Sequence, residues 1–226
     1  MGLAAVFLAA APGLAFAQLS IESVGIRAQG MGGAFVAVAD DASAPFWNPA
    51  GLATGAPAGG VFEVTRFQSG NRRSLFGGVG TWPLGVFVAR QSSEETARRF
   101  STTQFGINVL QTVVEGLVVG ANLKYVRGMI DDAGSHSSGE FDVDLGAMAD
   151  FQKARVGLTV KNLRQPSFTS PAGIATRMAR EIRAGVAVIP RDGVTLALDL
   201  DLTRSVCGTA RVEVWLLVGK HACRLV

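Results

Sequence analysis

The sequence predicts an all-β fold of antiparallel strands, and three observations carry that prediction. Along most of the chain apolar residues recur at every second position, not every third or fourth. Turn-forming residues punctuate the alternation at intervals that suit hairpins. The composition is apolar for such a pattern, with 48% hydrophobic residues and a mean hydropathy of +0.31. A soluble sandwich keeps polar residues on its outer faces. A membrane barrel carries apolar residues outside and polar ones within. The 226 residues suffice for one domain. The net charge of +3 is small, and no basic stripe with interleaved aromatics is present, so no nucleic-acid partner is expected.

Residues 1–17, MGLAAVFLAAAPGLAFA, read as a secretory signal peptide. The apolar run is short, is broken by Pro12 and Gly13, and ends in the small-x-small pattern Ala15-Phe16-Ala17 before Gln18. No Lys or Arg precedes it, which fits a true start upstream of Met1. No Cys follows the cleavage pattern, so no lipid anchor is expected there. No other run has the length of a spanning helix, so a further membrane crossing would need a closed barrel.

Residues 18–58 are rich in Gly, Ala and Pro. Ala34–Ala39, AFVAVA, reads as a short helix. The residues after it are turn chemistry: Pro45 and Pro49 fix φ and remove donors, and Asn48 is pushed out of the helical region by the proline that follows. A loop of this kind makes sense packed inside something.

Strands are predicted near 60–68, 73–80, 84–91, 101–110, 115–128, 139–151, 154–163, 181–189 and 193–203, with a weaker one at 210–219. In Glu140–Phe151 the residues Phe141, Val143, Leu145, Ala147, Ala149 and Phe151 share one face, opposite Glu140, Asp142, Asp144 and Asp150. Val194–Thr203 repeats the pattern, with Asp199 and Asp201 on its polar face. Leu123 and Tyr125 lie opposite Asn122 and Lys124; Phe105 and Ile107 lie opposite Gln104 and Asn108. Trp82-Pro83-Leu84-Gly85 and Pro190-Arg191-Asp192-Gly193 read as tight turns. The stretches 91–100 and 128–139 read as longer polar loops on one side. A turn at Gln152–Lys153 sets Asp150 against Arg155 and Asp144 against Lys161, with Ala147 meeting Leu158 and Leu145 meeting Val160. A one-residue slip would put charges among leucines. Alternation alone leaves two classes open, since the apolar face points into a core in a sandwich and to lipid in a barrel.

A resemblance separates them. Arg27, Gly30-Met31-Gly32-Gly33-Ala34, Ala39-Asp40-Asp41-Ala42 and Asn48-Pro49-Ala50-Gly51-Leu52 occur in that order ahead of the strands. This order resembles outer-membrane proteins of the long-chain fatty-acid transporter (FadL-like) type, in the branch with PorV-like and TraF-like proteins. The resemblance implies an antiparallel transmembrane β-barrel with an N-terminal plug. Residues 18–58 are then the plug, 59–204 the barrel strands, and 205–226 an atypical tail. It implies an outer-membrane location in a Gram-negative-type bacterium. It also points to Phe46, Trp47, Asn48, Pro49 and Ala50 as plug residues that meet a hydrophobic ligand or anchor the plug. The pairs Asp150–Arg155 and Asp144–Lys161 would line the lumen.

From Ser205 the alternation fades, and the last residues lack the terminal aromatic usual in such barrels. The tail reads as a truncation or frame-shifted end, against a divergent final strand as the alternative. Cys207 and Cys223 fall within it; they carry no metal signature, and in an exported protein a disulfide between them is open.

Chemistry has few candidates. His136 in Gly-Ser-His-Ser-Ser-Gly, near Asp131 and Asp132, lacks the convergent geometry that a triad needs and reads as a solvated loop residue. Asp131-Asp132 lacks a spaced calcium-ligand set, and Gly30–Ala34 lacks the βαβ context of a dinucleotide loop. The expectation is a non-enzymatic barrel without cofactor or metal that passes hydrophobic small molecules such as fatty acids. A barrel component of a protein secretion or conjugation system is the alternative, and a soluble periplasmic β protein the second. Outer-membrane lipid, a hydrophobic ligand and secretion-system proteins are the expected partners.

Overall fold

The computed structural model describes residues 24–67, 71–95, 98–131, 134–169, 175–191, 193–203, 212–218 and 221–224. The expected signal peptide at 1–17 and Cys207 lie outside the described residues. The strands are β1 (Ala58–Phe67), β2 (Arg72–Thr81), β3 (Leu84–Glu95), β4 (Arg98–Val114), β5 (Leu117–Asp131), β6 (Ser135–Asp150), β7 (Ala154–Lys161), β8 (Ser167–Thr169), β9 (Ala175–Arg177), β10 (Glu181–Arg191), β11 (Val194–Asp201), β12 (Val212–Val218) and β13 (His221–Arg224). Eleven form one antiparallel sheet in chain order, from which only the β8–β9 hairpin stands apart. Pairing thus continues past Ser205, with Leu200 opposite Val212.

The sheet is open. Its edges are β1 and β13, which do not pair with each other. The expected closed barrel is therefore not formed among the described residues. The four residues of β13 offer few backbone groups to ladder with the ten of β1.

Successive strands turn tightly at 82–83, 115–116 and 151–153, all at one end of the sheet. The opposite end carries the paired ends of β3 with β4 and of β5 with β6. There the stretches expected as loops, 91–100 and 128–139, are largely paired strand: Glu95 still faces Arg98, and Asp131 faces Ser135. Their polar residues gave no apolar period, yet the backbone groups continue to bond across the hairpins. The β6–β7 ladder sets Asp150 against Arg155, Ala147 against Leu158 and Leu145 against Val160.

Alternation gives the sheet two unlike faces. One bears Phe62, Val86, Phe105, Ile107, Leu123 and Phe141, all exposed. The other is covered. Residues 24–57 pack on it through two short helices, α1 (Ile26–Gly30) and α2 (Ala44–Trp47), and a 3-10 turn at Gly51–Thr54. Phe35, Phe46 and Trp47 of this segment form the main apolar cluster with Phe76, Phe87, Leu110 and Met148 of the strands. Each such side chain contributes about 1.5–3 kcal/mol on burial.

Ala34–Ala39 is not the expected helix but a run of turns. The Phe35 and Val36 amides donate to Asp199 of β11, and the Val36 carbonyl accepts from Asn48. The Val36 carbonyl is thus spent on a tertiary bond where a helix would have used it within its own turns. Toward the loop end, residues 162–169 and 175–180 fold over the same face, where Phe168 joins Val126, Ile130 and Met178. Gly128 makes room for it, since a Cβ there would stand 2.4 Å from the Phe168 ring.

Candidate functional site

The N-terminal segment is held by side chains that the strand alternation points at it. At its start, Glu63 of β1 accepts from the Gly25 and Ile26 amides at 2.8 and 2.9 Å. At its far side, Asp199 of β11 accepts from Phe35 and Val36 at 2.9 and 3.0 Å. The carboxylates of strands far apart in the sheet thus grip the same segment through its own amides. Charged acceptors make such bonds stronger than neutral ones.

The centre of the grip is Asn48-Pro49. Asn48 Nδ2 donates to the Val36 carbonyl at 2.9 Å and to the Ala147 carbonyl of β6 at 3.1 Å, while its Oδ1 accepts from the Ala50 amide at 3.0 Å. Asn108 of β4 donates to the Pro49 carbonyl at 3.0 Å, and Asn122 of β5 donates to the Pro45 carbonyl at 2.6 Å. Asn108 also donates to Asn122 Oδ1 at 2.9 Å. Two glycines let this turn reach the strands. A Cβ at Gly120 would lie 2.3 Å from the Pro49 carbonyl oxygen, and one at Gly146 would lie 2.2 Å from Asn48 Oδ1.

Behind the asparagines sits a buried charge cluster. Lys124 of β5 is 1% exposed, and Asp142 and Asp144 of β6 are 0% and 1% exposed. Lys124 Nζ lies 3.0 Å from Asp142, 2.7 Å from Asp144 and 3.0 Å from Asn162 Oδ1. Asp144 also accepts from Asn122 at 3.2 Å and from the Asn162 amide at 2.9 Å, and Asp142 accepts from the Arg164 amide at 3.0 Å. The cluster therefore ties the N-terminal segment, through the asparagines, to Asn162 and Arg164 just after β7.

The structure places each predicted site residue. Phe46, Trp47, Asn48, Pro49 and Ala50 are all buried on the covered face. Phe46 packs edge-on against Trp47, Phe76 and Phe87, and Trp47 Nε1 donates to the Val24 carbonyl at 3.1 Å. Asp150 and Arg155 pair, with Nε 2.9 Å from the carboxylate. Asp144 and Lys161 do not. Asp144 takes Lys124 instead, and Lys161 Nζ stands 4.0 Å above the Phe46 ring. Register with β7 suggested Lys161, but β5, on the other flank of β6, brings a closer cation: Asn122 opposes Asp144 and Lys124 opposes Asp142.

Arg155 also approaches Asp40 at 3.7 Å, and Asp40 pairs with Arg27. Burial pulls the Arg27 guanidinium down, but Asp40, with Asp41 behind it, outweighs this and holds it above its ordinary value. His136 is exposed on β6, opposite Ile130, in paired strand and not in a loop; Asp132 lies outside the described residues. Sequence reasoning gave no site role to Asn108, Asn122, Lys124 or Asn162. The available signal was that the first three share the polar face of their strands.

These features define a class: an antiparallel sheet whose polar face is filled by its own N-terminal segment and whose apolar face is bare. Residues 105–201, from β4 to the end of β11, match the family described as F plasmid transfer operon, TraF, protein. No curated protein and no solved structure matches the chain. The match supports the TraF-like part of the resemblance, while the fatty-acid-transporter and PorV-like parts find no support in these comparisons.

Proposed function

We propose that this chain is a non-enzymatic outer-membrane β protein serving in a conjugative transfer or related export apparatus. The match of residues 105–201 to the plasmid-transfer family carries the reading of the apparatus. The polarity of the sheet supports the membrane. Exposed Phe62, Val86, Phe105, Ile107, Leu123 and Phe141 lie side by side on one face, while Lys124, Asp142 and Asp144 are buried on the other. A soluble protein seldom leaves so broad an apolar patch bare, and a membrane barrel has this arrangement. In this reading residues 24–57 act as the plug, the outer strands close in the membrane, and tight turns face the periplasm.

A path for fatty acids is not favoured. The rings of Phe46 and Trp47 are spent on contacts with Phe35, Phe76 and Phe87. Their role here is to anchor the plug. The test is gel mobility of the detergent-extracted membrane fraction, boiled against unboiled, followed by cross-linking in cells that carry a transfer apparatus. A heat-dependent shift with cross-links to apparatus proteins supports the reading. Release by salt without detergent would overturn the membrane assignment. A heat shift with co-purified fatty acid and no protein partner would restore the transport alternative.

A further inference from the structure

The bare face carries a row of arginines along part of its loop-end border, inside the Arg99–Glu94 ion pair. Four arginines point outward on it, each two residues beyond an apolar side chain toward the loop end: Arg66 after Val64, Arg73 before Leu75, Arg90 after Val88, and Arg127 after Tyr125. All four are exposed. Arg66 and Arg73 are direct cross-strand partners. Arg90 and Arg127 flank the same residue, Thr103, from its two sides. None of the four has an ion pair among the described residues; Arg127 donates to Ser137 Oγ at 3.0 Å. Like charges directly opposite in a ladder destabilise it, so the arrangement calls for an anion between them.

Immediately below this row the apolar face is hollowed. A depression of about 950 Å³ runs across β1 to β6, bordered by Phe62, Val79, Phe105, Leu123 and Phe141. Gly77 lies in it, opposite Phe62 on one side and Val88 on the other, and contributes no side chain of its own. A multivalent cationic rim above an apolar hollow fits a molecule with an anionic head and hydrocarbon tails.

We infer that this patch binds an anionic, phosphate-headed membrane lipid, with the headgroup on Arg66, Arg73, Arg90 and Arg127 and the acyl chains in the hollow over Gly77. The inference rests on the membrane reading above. Guanidinium groups suit phosphate because they present forked donors to its oxygens. The lipid would neutralise the arginine row and fill a depression that loosely packed bulk lipid fills poorly.

The test folds the full chain into vesicles of phosphatidylcholine alone or mixed with phosphatidylglycerol. The heat shift is recorded, and the lipid that survives mild detergent extraction is measured by mass spectrometry. The expected result is insertion in both vesicles, with phosphatidylglycerol enriched about fivefold over its bulk fraction. The enrichment should fall with added salt. It should vanish in the variant carrying R66Q, R73Q, R90Q and R127Q, and fall partway in R73Q or R90Q alone. Arg191→Gln, at the turn end, should leave it unchanged. Insertion without enrichment, or enrichment equal in wild type and the single variants, overturns the lipid site while leaving the membrane reading intact. Failure to insert in either vesicle overturns both.

Discussion

The two faces of β5 and β6 share a backbone and differ in what satisfies them. On the covered face, Asn122, Lys124, Asp142 and Asp144 are buried, yet their polar groups meet other protein groups: Pro45, Asn108, Asn162 and one another. On the bare face, Leu123, Tyr125 and Phe141 are exposed, with the two aromatic rings 5.3 Å apart and edge-on. In a soluble sheet the polar face would meet water and the apolar face a core. Here a Gly- and Pro-rich segment takes the place of water on the polar side. Its carbonyls suit that place, because Pro45 and Pro49 carry no N–H and present only acceptors to Asn122 and Asn108.

The largest effect should come from breaking the covered face at its charge. Lys124→Met leaves Asp142 and Asp144 buried without their cation and should cost about 3–5 kcal/mol. It is read as a fall in the urea midpoint of the folded protein, or as loss of the folded band on an unboiled gel. Adding Asp144→Asn to that variant should recover part of the loss. If Lys124→Met were neutral, the buried cluster would not be what secures this face.

The bare face gives the next largest effect, and its size depends on the surroundings. Leu123→Arg puts a cation in the middle of the apolar band. In a bilayer it should cost about 2–4 kcal/mol. In water an exposed substitution stays within about 0.5 kcal/mol. Urea titration of Leu123→Arg and wild type in lipid vesicles therefore separates the membrane reading from a soluble one. A neutral result in vesicles would sink the former.

A third, smaller effect tests the grip on the N-terminal segment. Asn48→Ala removes the donor to the Val36 and Ala147 carbonyls and should cost about 1–3 kcal/mol. Limited proteolysis should then cut between residues 24 and 57 before it cuts the strands. Strand cleavage at equal rates would mean that the segment and the sheet open together.

Much of this contrast was legible in the alternation. Phe141, Val143 and Leu145 against Asp142 and Asp144 gave the two faces of β6, and opposite charges with matched leucines gave a register for β6 and β7. The partner of Asp144 was not legible there. A strand has two neighbours, and the charge match with β7 was counted without the match to β5, where Asn122 and Lys124 alternate in step with Asp144 and Asp142. The polar hairpin ends were also missed. Ser92, Ser93 and Glu94 give no apolar period, although they pair as strand. The prolines of the N-terminal segment announced a turn, but which carbonyls the strands would hold depends on contacts far apart in the chain.

The smallest effect sharpens the comparison by asking whether burial, and not charge pairing as such, sets the scale. Arg155 and Asp150 form the same kind of ion pair as Lys124 and Asp144, at 2.9 against 2.7 Å. Their side chains are 16% and 30% exposed, where Lys124 and Asp144 are 1% and 2% exposed. Water and salt can screen the outer pair, and its worth should be about 0–1 kcal/mol. Arg155→Gln also gives up the 3.7 Å approach to Asp40, but Asp40 keeps Arg27. The urea midpoint of Arg155→Gln should therefore move by a small fraction of the shift in Lys124→Met, and added salt should shrink the difference further. A loss as large as that of Lys124→Met would mean that the turn end is held by charge as firmly as the interior. The stability of the covered face would then not depend on keeping water out.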